Sequence, residues 1–503
     1  MNMEYTGKTV LVAGAGRSGI ASARFLLGRG ARVVLSDSKK REALEPGVSG
    51  LLKSAVRSSG ELTLELGGNR NESFAEADLV VVSPGIPLSL PFFEISRKAG
   101  IPVIAEIELA CRHLQGKIIG ITGSNGKTTT TTLTAELLTG AGLKAHAAGN
   151  IGTPLIQFAE ESTPEDIYVV ELSSFQLEAI STFHPFAAAL LNLTPDHMDR
   201  YDGFEEYAAA KARIFMNQTA GDFAVLNADD PQTAAWVSKP ECRGDRPGRP
   251  KCGNESQSAG ISSEVKTLLF SRTGEVEAGA FIRNGHMVFR DGDGEKDLFP
   301  VDAVQIRGEH NLDNVLAASL LALIAGAPPE SLEAGIIKFQ GVEHRLEHVA
   351  SIDGVAYYND SKATNVDAVK KALGAFRSGI HLIAGGRDKD GDFAALRPLV
   401  EERVRQLILI GEAAEKMRRA LSGAAVIHVA ESMQEAVEIG RAAAKPGDVV
   451  LLAPACASFD MFEDYEHRGH VFKENVRKFA EGANPISCRR PACNLSDSNE
   501  NGL

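Results

Sequence analysis

Several features that would assign this chain to a class on sight are missing from it. None of its six cysteines (Cys111, Cys242, Cys252, Cys456, Cys488, Cys493) stands in a CxxC pair, so they read as free thiols and not as a disulfide framework. No apolar run approaches the roughly 18 residues that a membrane span requires. The opening MNMEYTGKTVLVAGAG has no basic segment followed by an apolar stretch and a small-residue cleavage site, which reads against a secretory signal and for the cytoplasm. There is no long basic stripe either. Lys and Arg number 53 against 66 Asp and Glu, a net charge of −13, so nucleic-acid binding has no electrostatic footprint. That balance still permits phosphate ligands, because backbone N–H groups and a few lysines can converge locally.

The remaining composition is that of an ordinary globular protein, 44% hydrophobic and 24% charged. Much of its glycine, 49 residues, follows short apolar runs, as the turns of an α/β fold require. At roughly 100–200 residues per domain, 503 residues imply about three domains.

The chain reads as strands alternating with helices, the pattern of parallel sheets. Val10–Ala13 is a strand, followed by a glycine-rich turn, a helix to about Leu27, a strand over Arg32–Leu35 and another over Leu79–Val82. A second unit opens with the strand Lys117–Thr122 and continues with strands at Ile167–Val170, Ala188–Leu191 and Phe223–Leu226 and helices at Phe204–Met216 and Asn311–Ile324. Gly341 reads as a hinge into a third unit with strands at Val355–Tyr358, His381–Ile383, Leu407–Ile410 and Val449–Leu452. No internal sequence repeat accompanies this shared architecture. The predicted boundaries are 1–106, 107–340 and 341–485. Residues 238–263 and the tail 486–503 lack apolar periodicity and read as disordered.

Three loops carry chemistry. Gly123-Ser124-Asn125-Gly126-Lys127-Thr128 follows a strand and opens a helix. There, inward backbone N–H groups and the helix N-terminus can hold phosphate oxygens, with Lys127 neutralising charge and Thr128 ligating Mg²⁺. The strict P-loop pattern asks for glycine where Ile121 stands. Glu171, Asp196 and His197 end neighbouring strands, where ligands of open α/β sheets gather. Gly14-Ala15-Gly16-Arg17-Ser18-Gly19, with Asp37 beyond it, matches a dinucleotide fingerprint. The same loop geometry cradles any diphosphate. In the third unit Asp360 or Ser361, in NDSKATN, reads as a helix N-cap when taken alone. Cys456 lacks a histidine at the spacing of a known cysteine-protease signature.

TGSNGKTTT, ELSSFQLE, LNLTPDHMDRY, AAKARIF, GEHNLDN, EHRLE, NDSKATN, IAGGRDKDGDF and PACASFDMFEDYEHRG occur in this order over about residues 5–482. In these motifs the chain resembles the muramyl ligases. NDSKATN and ACASFD resemble the D-glutamate-adding branch, and no DNPR-type motif of the diaminopimelate-adding branch is present. The resemblance implies a three-domain α/β fold: a Rossmann-like N-terminal domain, a central P-loop ATPase-like domain with a parallel sheet, and a Rossmann-like C-terminal domain. It implies a monomeric ATP-dependent ligase of peptidoglycan precursor synthesis acting on UDP-N-acetylmuramoyl-L-alanine and D-glutamate. By the same resemblance Ser18, Asp37, Ser83 and Gly85 face the UDP moiety and Asn150 contacts substrate. Gly123, Ser124, Asn125, Gly126, Lys127, Thr128, Thr129, Asn314, Arg345 and Asp360 belong to ATP. Lys362, Thr364, Ser458 and Phe459 belong to D-glutamate. Thr128, Glu171 and His197 serve two Mg²⁺ ions, together with Lys211, which the resemblance makes a carbamylated lysine. Lys127, His197 and Lys211 are the expected catalytic residues.

Overall fold

A computed structural model of the chain describes residues 4–196, 200–238, 261–262, 264–388 and 391–482. His197, most of the segment 238–263 and all of the tail 486–503 lie outside the described residues. The chain divides into two compact units, the first running to Val342 and the second starting at Glu343.

The described residues of the first unit form two sheets. Strands β1 (Thr9–Ala13), β2 (Arg32–Asp37), β3 (Glu61–Leu66), β4 (Leu79–Val82) and β5 (Val103–Ala105) form an all-parallel sheet in the order β3-β2-β1-β4-β5. Strand β4 reads VVV after Leu79 and is buried throughout, as a strand covered on both faces must be. Helix α1 (Arg17–Gly28) packs Phe25, Leu26 and Leu27 inward. The order reverses between β1 and β4, so the loops after these two strands flank the topological switch point, where open α/β sheets bind ligands.

The second sheet is larger than the alternation of strands and helices predicts. Strands β6 (Lys117–Thr122), β7 (Lys144–Gly149), β8 (Asp166–Glu171), β9 (Ala187–Leu190), β10 (Phe223–Asn227) and β11 (Lys266–Ser271) are parallel. Strand β12 (Gly279–Arg283) joins parallel to β11, and β13 (His286–Asp291) and β14 (Gly294–Pro300) complete an antiparallel flank. The order is β14-β13-β12-β11-β10-β9-β6-β8-β7. Helices α2 (Lys127–Gly140), α3 (Ser174–Glu178), α4 (Phe204–Ala212) and α5 (Glu309–Ala325) flank it. The helix read over Phe204–Met216 ends four residues early, at Ala212, and tightens into a 3₁₀ turn over Arg213–Phe215. The Arg213 guanidinium there donates to the Leu177 and Ile180 carbonyls at 2.7 and 2.8 Å.

Two carboxylates bind the segment after β5 to the central sheet. Glu106, fully buried, accepts from the Ile156 N–H at 2.8 Å. Glu108 accepts from the Ser181, Thr182 and Phe183 N–H groups.

Among its described residues the second unit has six strands, β15 (Glu347–Ile352), β16 (Val355–Asn359), β17 (Ile380–Gly385), β18 (Val404–Ile410), β19 (Val426–Val429) and β20 (Val449–Leu452), in the order β15-β16-β20-β17-β18-β19. Only β15 runs antiparallel. Helix α6 (Tyr465–Gly482) ends its described part. Among the described residues no helix is long and apolar enough to cross a membrane.

Candidate functional site

The loop after β1 is closed by the loop after β4. The Ser83 hydroxyl donates to the Gly14 carbonyl at 3.0 Å, and Asp37, at the end of β2, accepts from the Ala15 N–H at 2.7 Å. The approach leaves no room for side chains. A Cβ on Gly19 would lie 1.8 Å from the Gly14 carbonyl oxygen. Ser18 opens α1 beside this turn, and Gly85 takes φ +92° in the facing loop. Asp37 thus holds the turn itself by a hydrogen bond, a role that the spacing alone does not disclose.

The second glycine loop sits at the carboxyl end of β6, between β8 and β9. Gly126 has φ +87°, and a Cβ there would come within 2.1 Å of Asn314 Oδ1. Asn314 is buried on α5 and is brought onto a loop 188 residues earlier in the chain by the helix's packing against α2. Lys127 Nζ donates to the Gly123 and Ser124 carbonyls at 2.8 and 2.9 Å. The Thr128 hydroxyl donates to Glu171 Oε2 at 2.7 Å, and the other Glu171 oxygen accepts from Asn150 Nδ2 at 3.0 Å. Thr129 is buried in the first turn of α2. Ser124 bonds to the Thr194 carbonyl at 2.9 Å and shares a 3.0 Å contact with the Tyr207 hydroxyl. The Asn125 N–H donates to Asn192 Oδ1 at 2.9 Å.

Lys211 enters the same place from α4. It is 2% exposed and donates to the Gly123 carbonyl at 3.0 Å, 4.7 Å from the Tyr207 ring centre. Burial, reinforced by the Lys127 charge and only partly opposed by Asp196 and Glu171, holds its ammonium pKa well below the usual lysine range. The residues brought together are therefore Gly123 to Thr129, Asn150, Glu171, Lys211 and Asn314. Asn192 and Tyr207 were missed as members, although both stand in quoted motifs or beside them. A backbone-built cradle, a hydroxyl beside a carboxylate and a lysine suit a polyphosphate with a hard cation.

In the second unit the carboxyl ends of β16 and β20 meet. The Asp360 N–H donates to the Leu452 carbonyl at 2.8 Å and the Ala455 N–H to the Ala363 carbonyl at 2.8 Å. Asp360 is buried, which pushes its pKa up to about 7 against the opposing pull of Arg345 and a backbone N–H from Leu346. Ser458 is buried while Phe459 is 62% exposed, and the Thr364 N–H donates to the Lys362 carbonyl at 2.8 Å. Arg468, fully buried on α6, ties the two loops together. It donates to the Ser361 hydroxyl and carbonyl at 3.0 and 2.8 Å and to the Cys456 carbonyl at 3.1 Å. Burial lowers even this guanidinium, to about 10. Arg468 lies in the quoted DYEHRG, and its role required the fold.

Among the described residues Glu343, His344 and His470 lie close enough to share a cation, but their chemistry is against it. His344 Nδ1 faces the Asn359 amide nitrogen at 2.9 Å, while the Asn359 oxygen accepts from the Ser361 N–H, so Nδ1 is the acceptor and Nε2 keeps the proton. The Lys473 ammonium already lies on Glu343.

A description of the Mur ligase middle domain matches residues 121–322, one of the MurD-like N-terminal domain residues 8–105, and one of the Mur ligase glutamate ligase domain residues 344–456. The chain belongs to the Mur ligase family. It is 47% identical over 95% of its length to a protein of Koribacter versatilis, 99% of which is covered, named UDP-N-acetylmuramoylalanine--D-glutamate ligase. A protein of Geotalea uraniireducens with the same name is 44% identical, covering 96% of this chain and all of that one. Among solved structures the UDP-N-acetylmuramate-alanine ligase MurC of Thermotoga maritima shares the fold at a TM-score of 0.57 with 16% identity, covering 94% of this chain and 99% of that one. MurF of Acinetobacter baumannii does so at 0.56 with 15% identity, over 92% and 93%. The three-domain α/β architecture expected from the motifs is the one found.

Proposed function

We propose that this chain joins D-glutamate to UDP-N-acetylmuramoyl-L-alanine with cleavage of ATP to ADP and phosphate, acting as a monomer in the cytoplasm on the peptidoglycan precursor. The observation that carries it is the convergence of Lys127, the Thr128–Glu171 pair and buried Lys211 on one glycine loop, a set with work in phosphoryl transfer and none in hydride transfer. The names of the relatives supply the substrates.

The chemistry begins with an alanyl carboxylate, a poor electrophile because it is an anion. Its oxygen attacks the γ-phosphorus of ATP, the bond to the β,γ-bridging oxygen breaks, and an acyl phosphate and ADP result. Two anions must meet, and Lys127 lowers that barrier by neutralising phosphate charge in a fixed position. Mg²⁺, for which Thr128, Glu171, His197 and a carbamate on Lys211 supply oxygen and nitrogen ligands, adds positive charge when bound. The neutral amine of D-glutamate then attacks the acyl carbon, and phosphate leaves from the tetrahedral intermediate. On this reading the remaining ATP groups are Gly123 to Thr129, Asn314, Arg345 and Asp360. Ser18, Asp37, Ser83, Gly85 and Asn150 serve the UDP-muramoyl substrate, and Lys362, Thr364, Ser458 and Phe459 serve D-glutamate.

The test is phosphate release with UDP-N-acetylmuramoyl-L-alanine, ATP, Mg²⁺ and a panel of amino acids. Release should require D-glutamate and stay weak with L-glutamate, L-alanine or diaminopimelate. Equal turnover with diaminopimelate would move the chain to another branch of the family.

A further inference from the structure

Among the described residues, five that are not glycine take a positive φ. Asn284 and Asp353 do so in Asn-Gly and Asp-Gly hairpin turns, where that conformation is routine. His344 (φ +63°) and Leu346 (φ +42°) do so outside any such turn, and they bracket Arg345. A leucine in this region costs backbone energy, so the surrounding structure must hold it there.

The holding group is Glu347, at the start of β15. Its Oε2 accepts from the His344 N–H at 2.9 Å and from Nδ2 of Asn359, its cross-strand partner, at 3.0 Å. Its Oε1 accepts from Lys473 Nζ at 2.9 Å. Lys473 is buried on α6 and lies on Glu343 as well. The NDSKATN loop closes the other side of the bend, where the Lys362 N–H donates to the His344 carbonyl at 3.1 Å. Gly469 on α6 makes room for the His344 ring, since a Cβ there would lie 2.1 Å from His344 Nδ1. Three segments distant in sequence thus converge on the bend that carries Arg345. Glu347 and Lys473 are not among the groups assigned to ATP above.

From this geometry we infer that Glu347, fixed by Lys473, is a positioning residue for the nucleotide: it holds the left-handed residues on either side of Arg345 and so presents that guanidinium to ATP. The inference rests on the proposed reading of Arg345 as an ATP residue. Without the clamp the bend relaxes toward negative φ, and the arginine stem leaves it in another direction. ATP must then select the strained form from a mixture, and its apparent affinity falls with the fraction of chains that hold it.

Glu347→Gln keeps the size of the side chain and loses the charge that binds Lys473. Lys473→Met removes the clamp from its other end and leaves Glu347 in place. Nucleotide affinity is read by calorimetric titration of the full chain with the non-hydrolysable ATP analogue AMP-PNP, with Mg²⁺ and UDP-N-acetylmuramoyl-L-alanine present. Each variant should raise the Kd about fivefold to tenfold, with UDP binding within about twofold of the parent. Arg345→Ala should raise it about tenfold or more. Added to Arg345→Ala, Glu347→Gln should change the Kd less than about twofold, because the clamp then has no guanidinium to present. Should Glu347→Gln not fold, Lys473→Met runs the same cycle. An unchanged Kd in either clamp variant overturns the inference. So does a clamp effect that persists undiminished without Arg345, which is how a merely structural loss behaves. If Arg345→Ala itself leaves the Kd unchanged, the reading of Arg345 as an ATP residue fails first, and the inference falls with it.

Discussion

Lys211 offers the sharpest test of the proposed chemistry. Its ammonium nitrogen and that of Lys127 both bond to the Gly123 carbonyl, at 3.0 and 2.8 Å, so they lie no further apart than those two bonds laid end to end, just under about 6 Å. At an effective dielectric constant near 20, two like charges at that separation repel by about 3 kcal/mol, which holds the Lys211 ammonium pKa down. Burial, the larger cause, acts in the same direction. The neutral amine that results is the form that reacts with CO₂, and the product is an anion. Repulsion from Lys127 then becomes attraction of similar size, so the site gains on the order of 6 kcal/mol between ammonium and carbamate from this pair alone. On the proposed function, in which this loop holds phosphates and a divalent cation, the anion serves it better than the ammonium.

Lys211→Ala should therefore lower kcat by about 100-fold or more, the scale of losing one fixed electrostatic partner of the reaction. Acetate or formate, taking the vacated space, should restore part of it. Lys211→Arg should be as inactive as the alanine variant, because it keeps a cation that cannot become a carbamate. Mass spectrometry of the native protein should find one added CO₂, lost in the alanine variant. An arginine variant with parental turnover, or acetate without effect on the alanine variant, would show that Lys211 acts only as a positive charge or as packing.

The other expectations concern loops and linkage. Gly126→Ala must adopt φ near +87° with its Cβ against Asn314; the KM for ATP should rise about tenfold or more while UDP binding is kept, and an unchanged KM would mean the loop does not close on nucleotide. In calorimetric titration the full chain should bind UDP and not NAD, with Asp37→Ala weakening UDP about tenfold by loosening the Ala15 turn; NAD binding without UDP binding would overturn the reading of the fingerprint. Glu106 has its pKa raised by burial to about 7, against the N–H groups of Ile156 and Leu155. A raised carboxyl pKa gives stability that is full below its unfolded value, near 4.5, and is lost as pH climbs through 7, here on the order of 3 kcal/mol. The first thermal transition should accordingly fall between pH 5 and 8, and Glu106→Gln should flatten that slope; an equally steep slope in the variant would assign it to other groups.

What could be read in advance follows from how local the cause is. Strands β1, β4 and β6 are covered on both faces, so their apolar runs are continuous and legible to within a residue. Strand β14, GEKDLFP, exposes its first four residues at the sheet edge, and nothing in its composition separates it from a loop. Glycine loops were legible because their backbone demands leave few substitutes, as Gly19 against the Gly14 carbonyl illustrates. The partners of those loops were not. Asn314 was named only through the family resemblance; Asn192 and Tyr207 reach the second glycine loop across 67 and 83 positions, and Arg468 reaches Ser361 across 107. Local pattern even misleads at Lys211. The segment YAAAKAR reads as a helix whose lysine, taken by spacing alone, belongs to a solvated face. The alanines matter in the other direction: they make α4 thin enough to pack Tyr207, Ala208, Ala210 and Ala212 inward and carry the lysine in with them. A buried lysine that, among the described residues, has no carboxylate within hydrogen-bond reach is costly to stability, and that cost is the reason to look for chemistry at Lys211 before structure.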